Sequence, residues 1–191
     1  MTIDGWTGYT LRDVFEFAKA AHEGQTRKFS GDPYIVHPVR VSLLASQFGL
    51  SYGDQVVALL HDVVEDCDVS LDEIHEGFGL YVATGVWGLS NYEARNGGPD
   101  DTMNRAARKA ADRVWLSGQS PSVKSLKIID DIDNILDRPD GDSFMTVMLE
   151  EMRLQVLAMT EPSIDGPTGG VQTDLVDYFW DIWEDAAEEG E

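Results

Sequence analysis

The sequence predicts an all-α fold, and three features point to it. Apolar residues recur at helical spacing in one segment after another, polar capping residues precede several of those segments, and no run alternates as a strand ladder would. The expected architecture is a helical bundle of about eight or more helices with no substantial β-sheet. A chain of 191 residues is long enough to bury the core of one domain, and no internal repeat divides it.

The first predicted helix spans Leu11–Ala21, with Leu11, Val14, Phe15, Ala18 and Ala21 at helical spacing. Thr10 is its N-cap and Asp13 a shorter relative of the capping-box glutamate. The helix ends near His22-Glu23-Gly24, and turn formers fill 25–33. Tyr34-Ile35-Val36-His37-Pro38 leads into a second helix at 39–48, in which Val41, Leu44, Ala45 and Phe48 share a face. Proline suits a first helical turn, so His37 is expected at or just before the helix start. A third helix begins at Asp54 or its neighbours and carries 55–65 without a break.

Ser70-Leu71-Asp72-Glu73 is a capping box for a short helix at 70–77, which Phe78-Gly79 ends before another at 80–89. Residues 93–101, with Asn96-Gly97-Gly98-Pro99, read as a loop. The next helix, 102–117, is basic on part of its surface through Arg105, Arg108, Lys109 and Arg113. A further helix covers 123–136, and a polar loop runs on through Asp142. The helix at 143–159 turns Phe144, Val147, Met148, Met152 and Val156 towards the core. The main domain is expected to span 1–160. Pro162, Gly166-Pro167 and Gly169-Gly170 make 161–173 a linker. The tail, 174–191, interleaves acidic residues with Leu175, Phe179, Trp180, Ile182 and Trp183. It reads as an amphipathic helix that docks on its own domain, the alternative being a second copy or another protein partner.

Composition removes several function classes. Lys and Arg number 14 against 35 Asp and Glu, a net charge of −21, and such a surface repels nucleic acid. The acidity itself is accounted for by solubility or a salty environment. A small anion remains an acceptable ligand, because one metal ion and a few local cations dominate a pocket. No run has the roughly 18 apolar residues of a membrane span. Met1-Thr2-Ile3-Asp4-Gly5-Trp6 lacks the basic and apolar regions of a secretory signal. Cys67 is the one cysteine, which rules out an internal disulfide and suits a reducing, cytoplasmic setting.

The stretch with the most chemistry is Leu59-Leu60-His61-Asp62-Val63-Val64-Glu65-Asp66. In an unbroken helix Glu65 stacks over His61 and Asp66 over Asp62, about 5–6 Å apart, so two potential ligands lie below two potential acid/base groups. His37, the His61-Asp62 pair and Asp130 come from three separate elements and form a mixed imidazole and carboxylate set. Such a set suits one borderline divalent ion such as Mn²⁺, Fe²⁺ or Zn²⁺. The absence of clustered cysteines argues against a structural zinc site. A bound ion would acidify a water and polarise a phosphoryl oxygen, and Glu65 with Asp66 could orient that water or carry its proton. Plainer readings stand beside these: His75 as a polar group on an exposed helix, Asp130-Asp131 as a solvated face, and His61-Asp62 as a chance dipeptide.

Three stretches follow in order: Ala20-Ala21-His22-Glu23-Gly24-Gln25-Thr26-Arg27-Lys28, Gly31-Asp32-Pro33-Tyr34-Ile35-Val36-His37-Pro38, and Ala58-Leu59-Leu60-His61-Asp62-Val63-Val64-Glu65-Asp66. With Lys127-Ile128-Ile129-Asp130-Asp131-Ile132-Asp133-Asn134, this succession resembles the hydrolase domain of the RelA/SpoT alarmone enzymes, within the HD-domain phosphohydrolase superfamily. The resemblance covers about residues 10–160 and implies an HD-type helical bundle. It implies metal ligands at His37, His61, Asp62 and Asp130, usually with Mn²⁺, and a water-activating pair at Glu65 and Asp66. Arg27 and Lys28 match substrate-pocket cations, Asn134 matches an asparagine near the nucleotide's sugar and phosphates, and His22 matches a supporting position.

The implied reaction removes pyrophosphate from the 3′ position of guanosine 3′,5′-bis(diphosphate), (p)ppGpp. The chain length leaves no room for a synthetase domain, so a small stand-alone enzyme similar to metazoan SpoT homologues is expected. Two positions depart from the family: Asp131 stands where a basic residue is usual, and Asp133 replaces an aromatic or histidine. Arg105, Arg108 and Lys109 lie where relatives carry cations near the phosphates, or else form a solvated basic face. The rival readings are a phosphohydrolase for another nucleotide (an adenosine alarmone, NADPH or a deoxynucleotide) and a non-catalytic regulatory or antitoxin protein.

Overall fold

The architecture is all-helical, and its local starts are written in short polar side chains. The structure is a computed structural model that describes residues 8–139 and 144–189. The N-terminal hexapeptide, the polar loop at 140–142 and the last two tail residues lie outside the described residues. Thr10, Ser51 and Ser70 each form a full capping box, with Asp13, Asp54 and Glu73 respectively. Ser120 caps a helix that has Pro121 in its first turn. Among the described residues no strand forms, and backbone pairing outside helices is limited to the isolated bridges Thr26–Pro33 and Ser163–Gly166. No helix of the described residues is long and apolar enough to cross a membrane.

The chain divides into two compact units, the first ending at Pro99 and the second beginning at Asp100. The first holds α1 (Leu11–Ala21), α2 (Val36–Gln47), α3 (Tyr52–Leu60), α4 (Val63–Asp66), α5 (Leu71–Phe78), α6 (Leu80–Leu89) and α7 (Tyr92–Arg95). Its axis is α3, which packs on α1, α2 and α6. Val56, Val57, Ala58, Leu59 and Leu60 are all buried, a helix apolar all round as befits one surrounded by others. The approach of α6 is close: a Cβ on Gly85 would lie 2.6 Å from Val57 Cγ2. Tyr81 Oη donates to the buried Asp54 carboxylate at 2.6 Å, fixing the other end of α3.

The second unit holds α8 (Arg105–Ser117), α9 (Pro121–Leu136), α10 (Met145–Met159) and α11 (Thr173–Glu189). Here α9 is central, with Leu126, Ile128, Ile129, Ile132 and Ile135 buried. The tail helix α11 lies on α9 and α10, its Leu175 and Phe179 fully buried. The glycine-rich segment before it is fastened: the buried Lys124 ammonium donates to Gly169 O at 3.4 Å.

Several boundaries differ from expectation. Ser51, not Asp54, caps α3, because Asp54 serves as the reciprocal partner inside the box. Residues 92–95 of the expected loop form α7, capped by Asn91. Helix α8 starts at Arg105 rather than at 102, behind the cap Asn104. Val147 is exposed, and Met145 and Leu149 take the core side of α10 with Met148 and Val156. Of the basic residues on α8, Arg105 makes a two-pronged contact with Glu151, at 2.9 and 2.7 Å.

Gly85→Ala would drive a methyl group into Val57 and push α6 from α3. Overpacking of this kind costs about 1–3 kcal/mol, to be read as a lowered denaturation midpoint in urea.

Candidate metal centre

The predicted helix does not run unbroken through the His-Asp pair. Helix α3 ends at Leu60, His61 and Asp62 form a turn, and α4 restarts at Val63 with Asp62 as its N-cap residue. Asp62 O accepts both the Glu65 amide, three residues on, at 3.1 Å and the Asp66 amide, four on, at 2.9 Å, so the first turn of α4 mixes 3₁₀ and α bonding. An aspartate competes poorly for a helix interior because its carboxylate finds other partners. Here they are His61 Nε2 at 3.1 Å, His37 Nε2 at 3.5 Å and Tyr34 Oη at 2.8 Å. His37 lies within the first turn of α2, not before it, because the helix begins at Val36.

His37, His61 and Asp62 form the cluster. Both histidines are buried, and one ligand atom from each of the three residues lies within 4.8 Å of the others. The His37 and His61 rings meet edge to face, 5.1 Å between centroids. A carbonyl can only accept, so the 2.8 Å contact of His61 Nδ1 with Ala58 O assigns the proton to Nδ1. The Nε2 lone pair then faces a carboxylate oxygen 3.1 Å away, an arrangement that repels unless a positive charge lies with it. Imidazole held by a backbone carbonyl, with its other nitrogen beside a carboxylate, is the usual support for a metal ligand. The donor set therefore fits a divalent cation.

Glu65 and Asp66 do not form a common upper layer. The Glu65 carboxylate turns to Asn91, accepting from its amide N–H at 2.6 Å and from its side-chain Nδ2. Asp66 stays with Asp62: Tyr34 Oη lies 3.1 Å from its Oδ2 as well as 2.8 Å from Asp62 Oδ2. One hydroxyl proton serves two carboxylates there. Partial burial and then the Asp62 charge raise the Asp66 pKa above its ordinary value.

Tyr34 ties the surrounding side chains together. His22 stacks on its ring at 4.7 Å, His37 meets it edge-on at 5.9 Å, and the buried Arg27 guanidinium lies over it at 5.7 Å. His22 Nδ1 contacts Gln25 Oε1 at 2.8 Å and Cys67 Sγ at 3.3 Å, while Gln25 Nε2 donates to Asp66 O at 2.7 Å. Lys28 is exposed, its ammonium over Phe29.

Asp130 and Asn134 belong to the second unit, on α9. Asp130 accepts from Asn134 Nδ2 at 2.8 Å and from Lys127 Nζ at 2.5 Å. Lys127 also reaches Asp131 at 3.1 Å, and Gln155 Nε2 donates to Asp131 at 2.7 Å. Burial opposes the Lys127 charge, but Asp130 and Asp131 together hold its pKa well above the ordinary value. Burial pushes Asp131 up to about 6 against the attraction of Lys127. Asp131 is only 2% exposed, so the solvated-face reading of the pair is wrong: its carboxylate is buried in an ion-paired network.

Tyr34 and Asn91 were not singled out from the sequence. Tyr34 had a signal, a phenol three residues before His37 in a loop leading to the helix. Asn91 had none, lying ahead of a stretch that read as irregular.

A family profile described as the HD domain matches residues 14–134. The chain belongs to the HD domain family. It is 34% identical over 125 residues to an Aquifex aeolicus guanosine-3′,5′-bis(diphosphate) 3′-pyrophosphohydrolase, covering 65% of this chain and 17% of that protein. A Vibrio cholerae protein of the same name is 46% identical over 83 residues, 44% of this chain and 12% of that one. The chain thus spans under a fifth of the length of these curated relatives. Among solved structures, a metazoan orthologue of SpoT that hydrolyses ppGpp superposes with a TM-score of 0.74 at 23% identity, over 91% of this chain and 93% of that one. The lmo0812 protein of Listeria monocytogenes superposes at 0.62 and 21% identity, over 82% and 97%. These likenesses confirm the expected all-α HD fold.

Tyr34→Phe removes the hydroxyl between Asp62 and Asp66 and leaves the ring stack intact. Loss of such a supporting contact weakens metal binding by about 10–100-fold, to be measured by Mn²⁺ titration with electron paramagnetic resonance.

Proposed function

We propose that this chain is a divalent-metal-dependent hydrolase that removes pyrophosphate from the 3′ position of guanosine 3′,5′-bis(diphosphate). The observation that carries the reading is the buried His37–His61–Asp62 cluster, in a chain whose relatives bear the name of that 3′-pyrophosphohydrolase. His37, His61 and Asp62 would hold one ion, with Asp130 the further ligand that the family resemblance implies, and such a mixed imidazole and carboxylate set suits Mn²⁺. That ion supplies Lewis-acid polarisation of a phosphoryl oxygen and acidifies a water at neutral pH.

The protein's own groups do the rest. Glu65, held on both oxygens by Asn91, would align a water for attack on the 3′-linked phosphorus. Asp66 is the second carboxylate of the pair and receives the water proton in turn. The water oxygen bonds to phosphorus as the bond from phosphorus to the 3′ oxygen breaks, and the proton taken by Asp66 passes to the departing 3′ oxygen, giving GDP or GTP and pyrophosphate. Arg27, planar and always charged, meets the phosphate charge, with Lys28 beside it and Asn134 near the sugar. The substrate is a small nucleotide, not a nucleic acid, and the single cysteine fits a cytoplasmic setting.

The test is a panel of nucleotides with Mn²⁺: the guanosine alarmone, an adenosine alarmone, NADPH and a deoxynucleoside triphosphate. Pyrophosphate release is expected from the guanosine alarmone, and turnover confined to another member would overturn the substrate assignment. Asp62→Ala should abolish turnover with the fold retained in circular dichroism. Glu65→Gln should lower kcat by about 10²–10⁴-fold, the range of a general base, with little change in KM.

A further inference from the structure

We infer that Asn91 is a positioning residue for Glu65, and that the start of α7 is built around this contact. The inference rests on the reading of Glu65 as the water-aligning carboxylate. Asn91 presents two donors to Glu65: its backbone N–H to Oε1 at 2.6 Å and its Nδ2 to Oε2. The pairing is two-pronged, which fixes the carboxylate in rotation as well as in place.

The orientation of the Asn91 amide follows from its other contact. Its Oδ1 accepts from Ala94 N–H at 3.0 Å, capping α7, and an amide N–H can only donate. The side-chain oxygen is therefore committed to the helix, and the NH₂ group must face Glu65. A flipped amide would lose the cap and set an oxygen against the carboxylate.

The platform under Asn91 is itself fixed. Ser90 is 1% exposed, its N–H bonds to Val86 O at 3.0 Å, and its hydroxyl bonds to the same carbonyl at 3.0 Å. Arg95, at the far end of α7, donates back to Ser90 O. The α6–α7 junction is a closed turn, and it delivers two donors to one carboxylate. A residue needed only as a helix cap would have no reason to spend its NH₂ group and its backbone N–H on a side chain from α4.

Asn91→Asp separates the two roles. Aspartate caps helices as well as asparagine does, so the Oδ contact to Ala94 survives. The atom facing Glu65 becomes an anionic oxygen, and the carboxylate is driven from its place. Misplacement of a reacting group by about 1 Å costs about a hundredfold in rate. The expected result with the Mn²⁺-loaded protein is a kcat lowered about a hundredfold, with KM, Mn²⁺ affinity and melting temperature near those of the parent.

The deciding comparison is made in the Glu65→Gln background. With the carboxylate already gone, adding Asn91→Asp should lower kcat no further, because the two residues act as one unit. An equal loss in both backgrounds would overturn the inference. A second readout needs no turnover. The Asn91 side-chain NH₂ signals, identified by their loss in Asn91→Asp, should be protected from solvent exchange and should lose that protection in Glu65→Ala. Rapid exchange in the parent protein would also overturn it. Should the parent hydrolyse no nucleotide, the functional reading fails while the NMR result still decides whether Asn91 holds Glu65.

Discussion

The geometry of the site depends on where the Asp62 carboxylate is drawn. It faces His61 and His37 and accepts the Tyr34 hydroxyl. Here α3 ends at Leu60, five residues short of the expected helix, and the chain restarts as α4. A continuous helix would keep the Asp62 oxygens on the helix surface, competing with water. In the fold they lie beside two buried imidazoles, where charge is less screened than in water. Concentrating two imidazoles and a carboxylate within 4.8 Å costs free energy, and a divalent cation would return that cost on binding.

Tyr34 links this centre to its surroundings. Its ring packs between His22 and the Arg27 guanidinium, and its hydroxyl lies between Asp62 and Asp66. The loop that carries it is closed by the Thr26–Pro33 bridge and by Arg27 N–H on Asp32 O at 2.8 Å. A cation and a carboxylate partner are thus supplied from one short loop. With a net charge of −21, the protein can hold a polyanionic nucleotide only where such local cations outweigh the bulk field. Of the two cations, Arg27 is buried with its guanidinium over the Tyr34 ring, and Lys28 is exposed with its ammonium over Phe29.

What the sequence disclosed, and what it hid, divides along physical lines. Caps and apolar periodicity are local, so α1, α5, α6 and the core face of α2 could be read directly. The His61-Asp62 break could not, because it depends on Tyr34 and His37, which are distant in sequence. Glu65 was expected over His61 from helical spacing. In the fold it is claimed by Asn91, twenty-six positions on, a contact that no periodicity encodes. The solvated-face reading of Asp131 failed differently, since its ion partner Lys127 lies one turn back on the same helix and only Gln155 comes from elsewhere. An acidic residue on a helix is usually solvated, and only the arrival of Lys127 and Gln155 makes a buried one tolerable.

That network also bears on Asp130. One ammonium, Lys127, serves two buried carboxylates, so the group carries excess negative charge when both are ionised. A basic residue at position 131 would place a second cation beside Lys127. Asp131 instead shares the Lys127 charge with Asp130, and Asn134 Nδ2 holds the other Asp130 oxygen at 2.8 Å. The acidic side chain at 131 is tolerated because the ammonium it needs lies one turn back on the same helix and Gln155 supplies a further donor.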